Sequence, residues 1–329
     1  MSIDDYTIAF IGLGEAASTI ISGWGNHRAN QIKAFDIKLH SIETKEEIVA
    51  RADKLNICIK FSLQELARDS DIIFSTVTAD QAINAAREAC QFIKDGAYFF
   101  DLNSCSPSSK QNSCKSIEAN GGCYVDVAVM APVYAKKNLV PLIISGDKAF
   151  QAYDILEKLP MDIKIIEGPV GRASSIKMVR SILVKGLEAL TAECALAAVE
   201  ADVLDEVFHS LSAEHPHFDI LKHSIYNFER SLSHGKRRSE ELKEVSKMLE
   251  DLRLANHMSK ATAIWQNNLG SLEKTNSIIE KRINNLRTKL KEADIDTAVI
   301  TDDDSVYYYT GYCDYLHMDF WRPTILIVP

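Results

Sequence analysis

The sequence predicts an α/β protein: a doubly wound, mostly parallel sheet, then an all-helical domain, then a truncated α/β fragment. Three observations support this class. Eight apolar runs alternate with helical stretches between residues 6 and 167, a long apolar helix follows, and strand-type residues reappear after residue 295. We place the three regions at residues 1–170, 171–270 and 271–329.

The sheet is predicted from short apolar runs of strand length. In chain order they are TIAFIG, IKAFD, CIKF, DIIFSTV, AYFFDLN, CYVDVAV, LVPLIISG and IKIIEG. Helices are predicted between them, at Gln64–Asp69, Gln81–Ile93 and Ala149–Leu156 among others. Alternation of this kind favours parallel strands joined by crossover helices.

The first run passes directly into a glycine turn, Gly12-x-Gly14-x-x-Ala17, and a helix is predicted from Glu15. Two glycines allow a tight turn and close approach of a pyrophosphate, and the small third residue lets helix and strand pack closely. The start of the helix directs N–H groups at the anion. We therefore predict a Rossmann-type dinucleotide-binding domain; the alternative is a flavodoxin-like turn that binds no nucleotide. The predicted cofactor contacts here are Gly12, Leu13, Gly14, Glu15, Ala16 and Ala17.

Asp36 ends the second run about twenty residues beyond the turn, where a ribose-binding carboxylate is expected. It favours the free 2′-hydroxyl of NAD over a 2′-phosphate, whereas Lys38 nearby leaves NADP open. Val77 and Thr78, at the end of the fourth run, are further predicted contacts. The predicted cofactor is NAD or NADP.

The helical domain opens with a long segment, Ser174–Val203, that contains one glycine and no proline. At 1.5 Å per residue it would be roughly 45 Å long. A helix that is apolar on all sides is predicted to be buried, and further helices follow through Gln266. The apolar residues are Met178, Val179, Ile182, Leu183, Leu187, Leu190, Leu196 and Val199.

Candidate chemistry follows the strand ends. Asn103 and Ser104 come after the fifth run, where polar side chains could bind a substrate carboxylate; a plain Ser/Pro turn explains them equally well. Lys177 lies in the apolar helix and is the candidate catalytic residue, because burial could lower its pKa enough for it to take a hydroxyl proton. From helix position alone, an interface or surface lysine is the stronger interpretation.

The order of the motifs resembles that of the β-hydroxyacid dehydrogenase family, which includes 3-hydroxyisobutyrate dehydrogenases and, more distantly, 6-phosphogluconate dehydrogenases. The resemblance covers about residues 6–266. It implies hydride transfer between a nicotinamide cofactor and a small β-hydroxyacid, with Lys177 as general acid/base, and a homodimer. The motifs that carry it are Gly12/Gly14/Ala17, Asp101–Pro107, Asp126–Pro132 and Gly168/Gly171/Ala173/Lys177.

Two departures from the family pattern concern the substrate. Met130-Ala131-Pro132 replaces a Ser-Gly-Gly segment whose N–H groups hold the substrate carboxylate, and proline has no N–H. Ser181 replaces an asparagine one turn after the lysine, and Arg180 beside it could clamp an anion or form a helix-face salt bridge. Met130, Ala131, Arg180 and Ser181 therefore remain predicted substrate contacts for an altered substrate. An imine or keto reductase, or a non-catalytic nucleotide-binding protein, are the alternatives.

The last region begins with a predicted amphipathic helix at Asn276–Ala293. From about residue 280 the chain resembles the start of the creatinase/aminopeptidase-P N-terminal domain. Because only about fifty residues of that kind are present, no hydrolase activity is implied, and we expect a poorly anchored tail.

Composition and charge indicate which classes of partner, ligand and cell compartment to expect. The net charge of −9 argues against nucleic acid. Without a signal peptide or an apolar run of membrane-spanning length, and with seven scattered cysteines, the sequence predicts a cytoplasmic protein with reduced thiols. No metal is expected, since the histidines lack zinc-type spacing.

The basic run from His234 to Arg238 is interpreted as a solvated helix start, with phosphate binding as the alternative. We expect a small acid as substrate and a homodimer.

Overall fold

The computed structural model describes residues 6–25, 31–214, 220–272, 276–293, 295, 298–300 and 326–328. The chain divides into two compact units, Met1–Asn268 and Leu269–Pro329. The first unit contains both a large sheet and a set of long helices, as the predicted fold class requires.

All eight predicted runs form strands of one sheet, in the order β3-β2-β1-β4-β5-β6-β7-β8. The predicted α/β class is therefore confirmed. The strands are Ile8–Ile11 (β1), Ile32–Phe35 (β2), Cys58–Ile59 (β3), Ile72–Ser75 (β4), Tyr98–Asp101 (β5), Cys123–Val129 (β6), Leu142–Ser145 (β7) and Ile163–Ile165 (β8).

Helices lie between the strands and continue after them. Those of the sheet region are Glu15–Trp24 (α1), Ile42–Leu55 (α2), Leu63–Arg68 (α3), Ala82–Ala89 (α4), Pro107–Glu118 (α5), Val133–Lys136 (α6) and Ala149–Leu156 (α7). The following ones are Arg172–Glu200 (α8), Leu204–Glu214 (α9), Ile220–Asp251 (α10), His257–Ser271 (α11) and Asn276–Glu292 (α12).

The direction of the strands changes once within the sheet. Strands β1 to β6 pair in parallel, β7 runs antiparallel to β6, and β8 pairs in parallel with β7. The connection over residues 130–141 contains only the short α6 and a 3-10 turn. Because no long crossover helix returns the chain to the opposite edge, β7 pairs antiparallel with its neighbour.

The register aligns the ends of the central strands. Ile11 pairs with Ser75, Ser75 with Asp101, and Asp101 with Asp126. The residues that follow β1, β4 and β5 therefore lie at one edge of the sheet. Next to this edge the rings of Phe10 and Phe74 stack, with their centroids 5.1 Å apart. The strand ends are therefore supported by a closely packed core.

Helix α8 is confirmed close to its predicted span, and it packs against α10. The prediction that it is buried all round is wrong, because α10 covers a face that carries buried polar residues such as Ser181, Lys185 and Glu188. Met178 is buried against α10, but most of the other large apolar side chains lie on the uncovered side, and Leu183 is 66% exposed. The exposed apolar residues of α8 are Ile176, Val179, Leu183, Leu187, Leu190, Leu196 and Val199.

The second unit contains α12 and a two-stranded antiparallel sheet, Ala298–Ile300 (β9) with Leu326–Val328 (β10). The predicted helix at Asn276–Ala293 is confirmed. Most of the tail, residues 301–325, lies outside the described residues, so poor anchoring stays a prediction. Among the described helices, each is too short or too polar to span a bilayer.

Candidate active site

The turn between β1 and α1 requires glycine at position 12. Gly12 has a φ of +87°, and a Cβ there would lie 2.8 Å from the carbonyl oxygen of Thr76 and 3.0 Å from Val77 Cγ1. Positive φ and this close approach both exclude a larger side chain. The chain runs outward in opposite directions from β1 and β4, so the contact marks the switch point where open α/β sheets bind ligands.

Gly14 keeps open the space in front of α1. A Cβ at this position would meet no atom within 4 Å. Among the residues that the structure describes, no side chain caps α1, whereas Ser62 caps α3 and Ser106 caps α5. The first N–H groups of α1 are thus without a side-chain partner and suit a phosphate. The residues present therefore fit the pyrophosphate of a dinucleotide.

Asp36 is bound to the same turn. Its Oδ2 accepts a 2.8 Å hydrogen bond from the Leu13 N–H, and its Oδ1 accepts one of 3.0 Å from the Lys38 N–H. A carboxylate has about four acceptor sites, so a ribose hydroxyl can still donate to Asp36. Among the other predicted cofactor contacts, Leu13 and Ala17 are buried, Ala16 and Val77 are half-buried, and Glu15 and Thr78 are exposed.

Lys177 reaches from α8 to the loop after β5. Its Nζ donates a 2.7 Å hydrogen bond to Ser104 Oγ. Two residues predicted from separate motifs, 73 positions apart, are therefore in direct contact. The side chain of Lys177 is half-buried, and so is that of Ser104.

Burial lowers the pKa of Lys177 to about 8. Glu241 acts in the opposite direction, and the nearby charges of Lys185, Lys110 and Arg237 reinforce the lowering. At pH 7 about one lysine in ten is then neutral, against about one in 3,000 at the ordinary value. The structure thus supplies a neutral amine near neutral pH.

Glu241 of α10 forms a nearly buried ion pair with Lys185 of α8, at 2.5 Å between Oε2 and Nζ. Burial alone would raise the pKa of Glu241, but the charges of Lys185, Arg237 and Lys177 lower it to about 2. Burial lowers the pKa of Lys185 even beside this partner, so desolvation offsets part of the attraction.

The basic run that includes Arg237 and Arg238 lies in the middle of α10, not at its start. Arg237 Nη1 contacts Glu241 Oε1 at 2.7 Å, and Arg238 is buried against Glu188. The predicted position at a helix start is therefore wrong and Arg238 is buried, whereas Lys236 and Arg237 are exposed to solvent as predicted. These arginines balance carboxylates between α8 and α10.

Asn103 lies buried at the end of β5. Its N–H donates to Asp101 Oδ1 at 3.0 Å, and its Nδ2 donates to Ser75 Oγ at 2.9 Å. Its Oδ1 is buried and has no hydrogen-bond partner among the described residues. An unpaired buried acceptor costs about 1–3 kcal/mol, so this oxygen suits a donor from a ligand or a water molecule.

The segment after β6 offers few donors. The Met130 N–H already donates to the Pro141 carbonyl at 2.9 Å, and Pro132 has no N–H. Ala131 packs against the hydrophobic core formed by the sheet and its flanking helices, and Met130 packs against a small cluster that includes Ala173. The structure therefore gives this segment an apolar role beside the start of α8.

The two predicted residues after Lys177 differ in setting. Ser181 is buried one turn farther along α8, on the face that also carries Lys185. Arg180 is exposed, and it forms no ion pair with the residues described. Both lie within one helical turn of Lys177, but of the two only Ser181 is buried.

Sequence reasoning missed a buried charge network behind the site. Lys110 Nζ lies 3.0 Å from Asp101 Oδ1 and 3.5 Å from Asp126 Oδ1, and all three side chains are buried. Asp126 Oδ2 accepts hydrogen bonds from the N–H groups of Gly171 and Ser174 at 3.0 and 3.1 Å. Asp126 thereby caps α8. Asp101 and Asp126 begin two of the motifs found in the sequence, but nothing in the sequence identifies Lys110 of α5 as the partner of both.

A second missed contact joins α10 to α5. Glu244 Oε2 accepts from the Ser106 N–H at 2.7 Å and from Ser109 Oγ at 2.9 Å. Lys247 Nζ donates to the same Ser109 Oγ at 2.9 Å. The helix dipole of α5 favours the Glu244 carboxylate, so Glu244 holds α10 at the sheet edge where Ser104 lies.

Among the described residues, no cluster of three or more His, Cys, Asp or Glu side chains could hold a metal ion. His209 and His223 are exposed, and His215 and His217 lie outside the described residues.

Comparison with known proteins identifies three matched regions. Residues 7–162 match the family described as the NAD binding domain of 6-phosphogluconate dehydrogenase. Residues 198–269 match a domain of unknown function, DUF1932. Residues 282–329 match the creatinase/prolidase N-terminal domain, as the sequence predicted for the tail.

Relatives that match across both the sheet region and the helical region support the same family. The uncharacterized 28.5 kDa protein in the 7S RNA 5′ region of Methanothermus fervidus is 31% identical over 78% of this chain and 95% of its own length. A conserved hypothetical protein of Sinorhizobium meliloti is also 31% identical, with a TM-score of 0.65 over 82% of this chain and 90% of that one. The Mycobacterium tuberculosis 3-hydroxyisobutyrate dehydrogenase has the same fold at 14% identity, with a TM-score of 0.64 over 82% and 95%. The chain therefore belongs to the 6-phosphogluconate dehydrogenase-like family that joins an NAD-binding domain to a DUF1932 domain in the fold of the 3-hydroxyisobutyrate dehydrogenases.

Proposed function

We propose that the protein is an NAD(P)-dependent oxidoreductase that transfers a hydride between its cofactor and a small β-hydroxyacid. The observation that carries this proposal is the contact of Lys177 with Ser104 at the carboxyl edge of the sheet. A lysine with a pKa of about 8, hydrogen-bonded to the loop after β5 at the sheet edge that also carries the glycine turn, has the properties of a general acid/base.

The cofactor would be held by the first βα unit. Gly12 and Gly14 leave room for the pyrophosphate, the start of α1 supplies N–H groups, and Asp36 is placed to accept from a ribose hydroxyl. The nicotinamide ring, when bound, supplies hydride donor or acceptor chemistry. We infer that Asp36 favours NAD, because its carboxylate would repel a 2′-phosphate.

Lys177 would move the proton. In the oxidation direction its neutral Nζ takes the proton of the substrate hydroxyl; in reduction the ammonium returns a proton to the carbonyl oxygen. Ser104 orients Nζ through its hydrogen bond. The partial burial of both groups limits competition by water.

The substrate would lie against residues on both sides of Lys177. Asn103 supplies an unpaired buried oxygen, Ser181 lies on the lysine face of α8, and the exposed Arg180 would meet an acidic group. Met130 and Ala131 would form an apolar wall. This set fits a small acid that carries a second hydrogen-bond donor, besides the reacting hydroxyl, for Asn103 Oδ1.

An imine or keto reductase is the second candidate. The observation that favours it is the shortage of donors after β6, where the Met130 N–H is already bonded and Pro132 has none. A substrate without a carboxylate would not need these donors. A third alternative is a nucleotide-binding protein without catalysis.

The test is the variant Lys177→Met, with Lys243→Met as the matched control because Lys243 is exposed and, within the described part of the chain, pairs only with Glu240. We expect Lys177→Met to lower kcat by at least about a thousandfold and to leave the Kd for the dinucleotide unchanged. Panels of β-hydroxyacids, ketones and imines, each with NAD(H) and NADP(H), separate the candidates. If the unmutated protein binds dinucleotide but turns over no panel member, the catalytic proposal fails.

A further inference from the structure

We propose that Lys110 is a positioning residue that holds the two halves of the candidate site, the loop after β5 and the start of α8, in register. The inference rests on the proposed role of Lys177. Lys110 contacts neither Lys177 nor Ser104 through any hydrogen bond of the described structure. It would act through the carboxylates that fix each of them.

The first half is fixed through Asp101. Lys110 Nζ donates to the backbone carbonyl of Asp101 at 2.5 Å and lies 3.0 Å from its Oδ1. The same Oδ1 accepts the Asn103 N–H at 3.0 Å, and Oδ2 accepts from the Tyr124 hydroxyl at 2.7 Å. The loop that carries Ser104 therefore begins at a carboxylate whose orientation depends on Lys110.

The second half is fixed through Asp126. This carboxylate receives the N–H groups of Gly171 and Ser174 and the Ser174 hydroxyl, and so sets where α8 begins. Lys177 is the residue one turn after Ser174. A change in the orientation of Asp126 would therefore shift Lys177 relative to Ser104, across a contact of only 2.7 Å.

A cation is needed at this place. Asp101 and Asp126 are 1% and 0% exposed and each lies within 3.5 Å of Lys110 Nζ, and buried carboxylates are stable only beside a paired charge and hydrogen-bond donors. Burial alone would lower the pKa of Lys110, but the two carboxylates raise it above its ordinary value. Lys110 is thus held as a cation between Asp101 of β5 and Asp126 of β6. In the described structure no other cation forms an ion pair with either carboxylate.

The experiment measures the titration of Lys177 directly, in the full chain and without substrate or cofactor. Competitive acetylation of Lys177 by acetic anhydride, quantified by mass spectrometry, is followed over a pH range that includes 8 and 10.5. The variants are Lys110→Met and the double variant Lys110→Met/Asp126→Asn, which restores the net charge of the network without the bridge. Lys247→Met is the control, since Lys247 also contacts α5 but touches neither carboxylate.

We expect the midpoint for Lys177 to rise by about one pH unit or more in both Lys110 variants, because Lys177 leaves its partly buried contact with Ser104 and becomes better solvated. Lys247→Met should keep the wild-type midpoint. A wild-type midpoint in the double variant would overturn the proposal, because Lys110 would then act by charge alone. An equal shift in the control, or failure of both Lys110 variants to fold, would also overturn it. Since the readout needs no turnover, it decides the role of Lys110 even if the dehydrogenase proposal fails.

Discussion

Replacing Glu241 with glutamine should destabilise the protein by about 3 kcal/mol at neutral pH. Glu241 and Lys185 are 8% and 5% exposed and lie 2.5 Å apart. Without Glu241, Lys185 remains as a buried cation between α8 and α10. The loss has an upper bound of about 5 kcal/mol, because at that cost a lysine of ordinary pKa gives up its proton at pH 7. Arg237, whose side chain is 55% exposed, can turn to solvent and adds little.

Replacing Lys185, alone and together with Glu241, separates the energy of the Glu241–Lys185 ion pair from that of the neighbouring Arg237. Lys185→Met should cost about 2 kcal/mol, less than Glu241→Gln, because Arg237 still faces the carboxylate. In the double variant both charges are gone, and the loss should stay within about 2 kcal/mol. The cycle therefore gives a coupling of about 3 kcal/mol. Urea unfolding of the four proteins, followed by far-ultraviolet circular dichroism, measures these values.

The pH dependence gives an independent check. The pKa of Glu241 falls from 4.5 to about 2 in the folded protein, so its stabilising effect is present above pH 4.5 and is lost as pH falls toward 2. The shift corresponds to about 3 kcal/mol. The difference in stability between wild type and Glu241→Gln should therefore shrink in acid. A double variant as unstable as the sum of the single variants, or a difference that stays constant in acid, would refute the reasoning.

Four further predictions concern the site and its surroundings. Gly12→Ala should abolish dinucleotide binding by calorimetry, whereas Gly96→Ala, at a φ of +74° with open space around it, should lower the Tm comparably and leave binding intact. If Lys177 is the base, hydroxyacid oxidation should rise about tenfold per pH unit below about 8 and level off above it; a flat profile would exclude it. Asp36→Ser should raise the affinity for NADP relative to NAD by about tenfold or more, and equal loss of both would contradict the assigned role. Leu183→Glu, at a position 66% exposed on the apolar face of α8, should convert the expected homodimer to a monomer in sedimentation; a wild-type protein that is already monomeric would remove that expectation.

Local pattern determined much of the fold. Each of the eight strands is a short apolar run bounded by turn residues, and such a run forms a strand wherever it lies in the sheet. The turn at Gly12 could also be predicted from sequence. Its backbone conformation requires glycine, and the whole motif lies within the six residues from Gly12 to Ala17. Helix α8 was predicted from the absence of breakers, and it begins at Arg172, two residues before the predicted start.

Contacts between distant segments were decided only by the tertiary structure. The reversal of β7 depends on how residues 130–141 return to the sheet, which no periodicity encodes. The exposed apolar face of α8 was mistaken for a buried one, because the sequence does not show that α10 brings Glu241 to Lys185. Burial and charge partners of this kind are set by which elements meet.

By itself, the sequence determined the dinucleotide turn, the strands and the long helix, because each depends on residues close together in the chain. The candidate lysine was identified by the order of the motifs along the chain. The tertiary structure decided that Lys177 meets Ser104, that its pKa falls to about 8, and that Lys110 lies between Asp101 and Asp126. These properties depend on desolvation and on charges brought together across many residues. They exist only once the sheet edge and the helices have packed against each other.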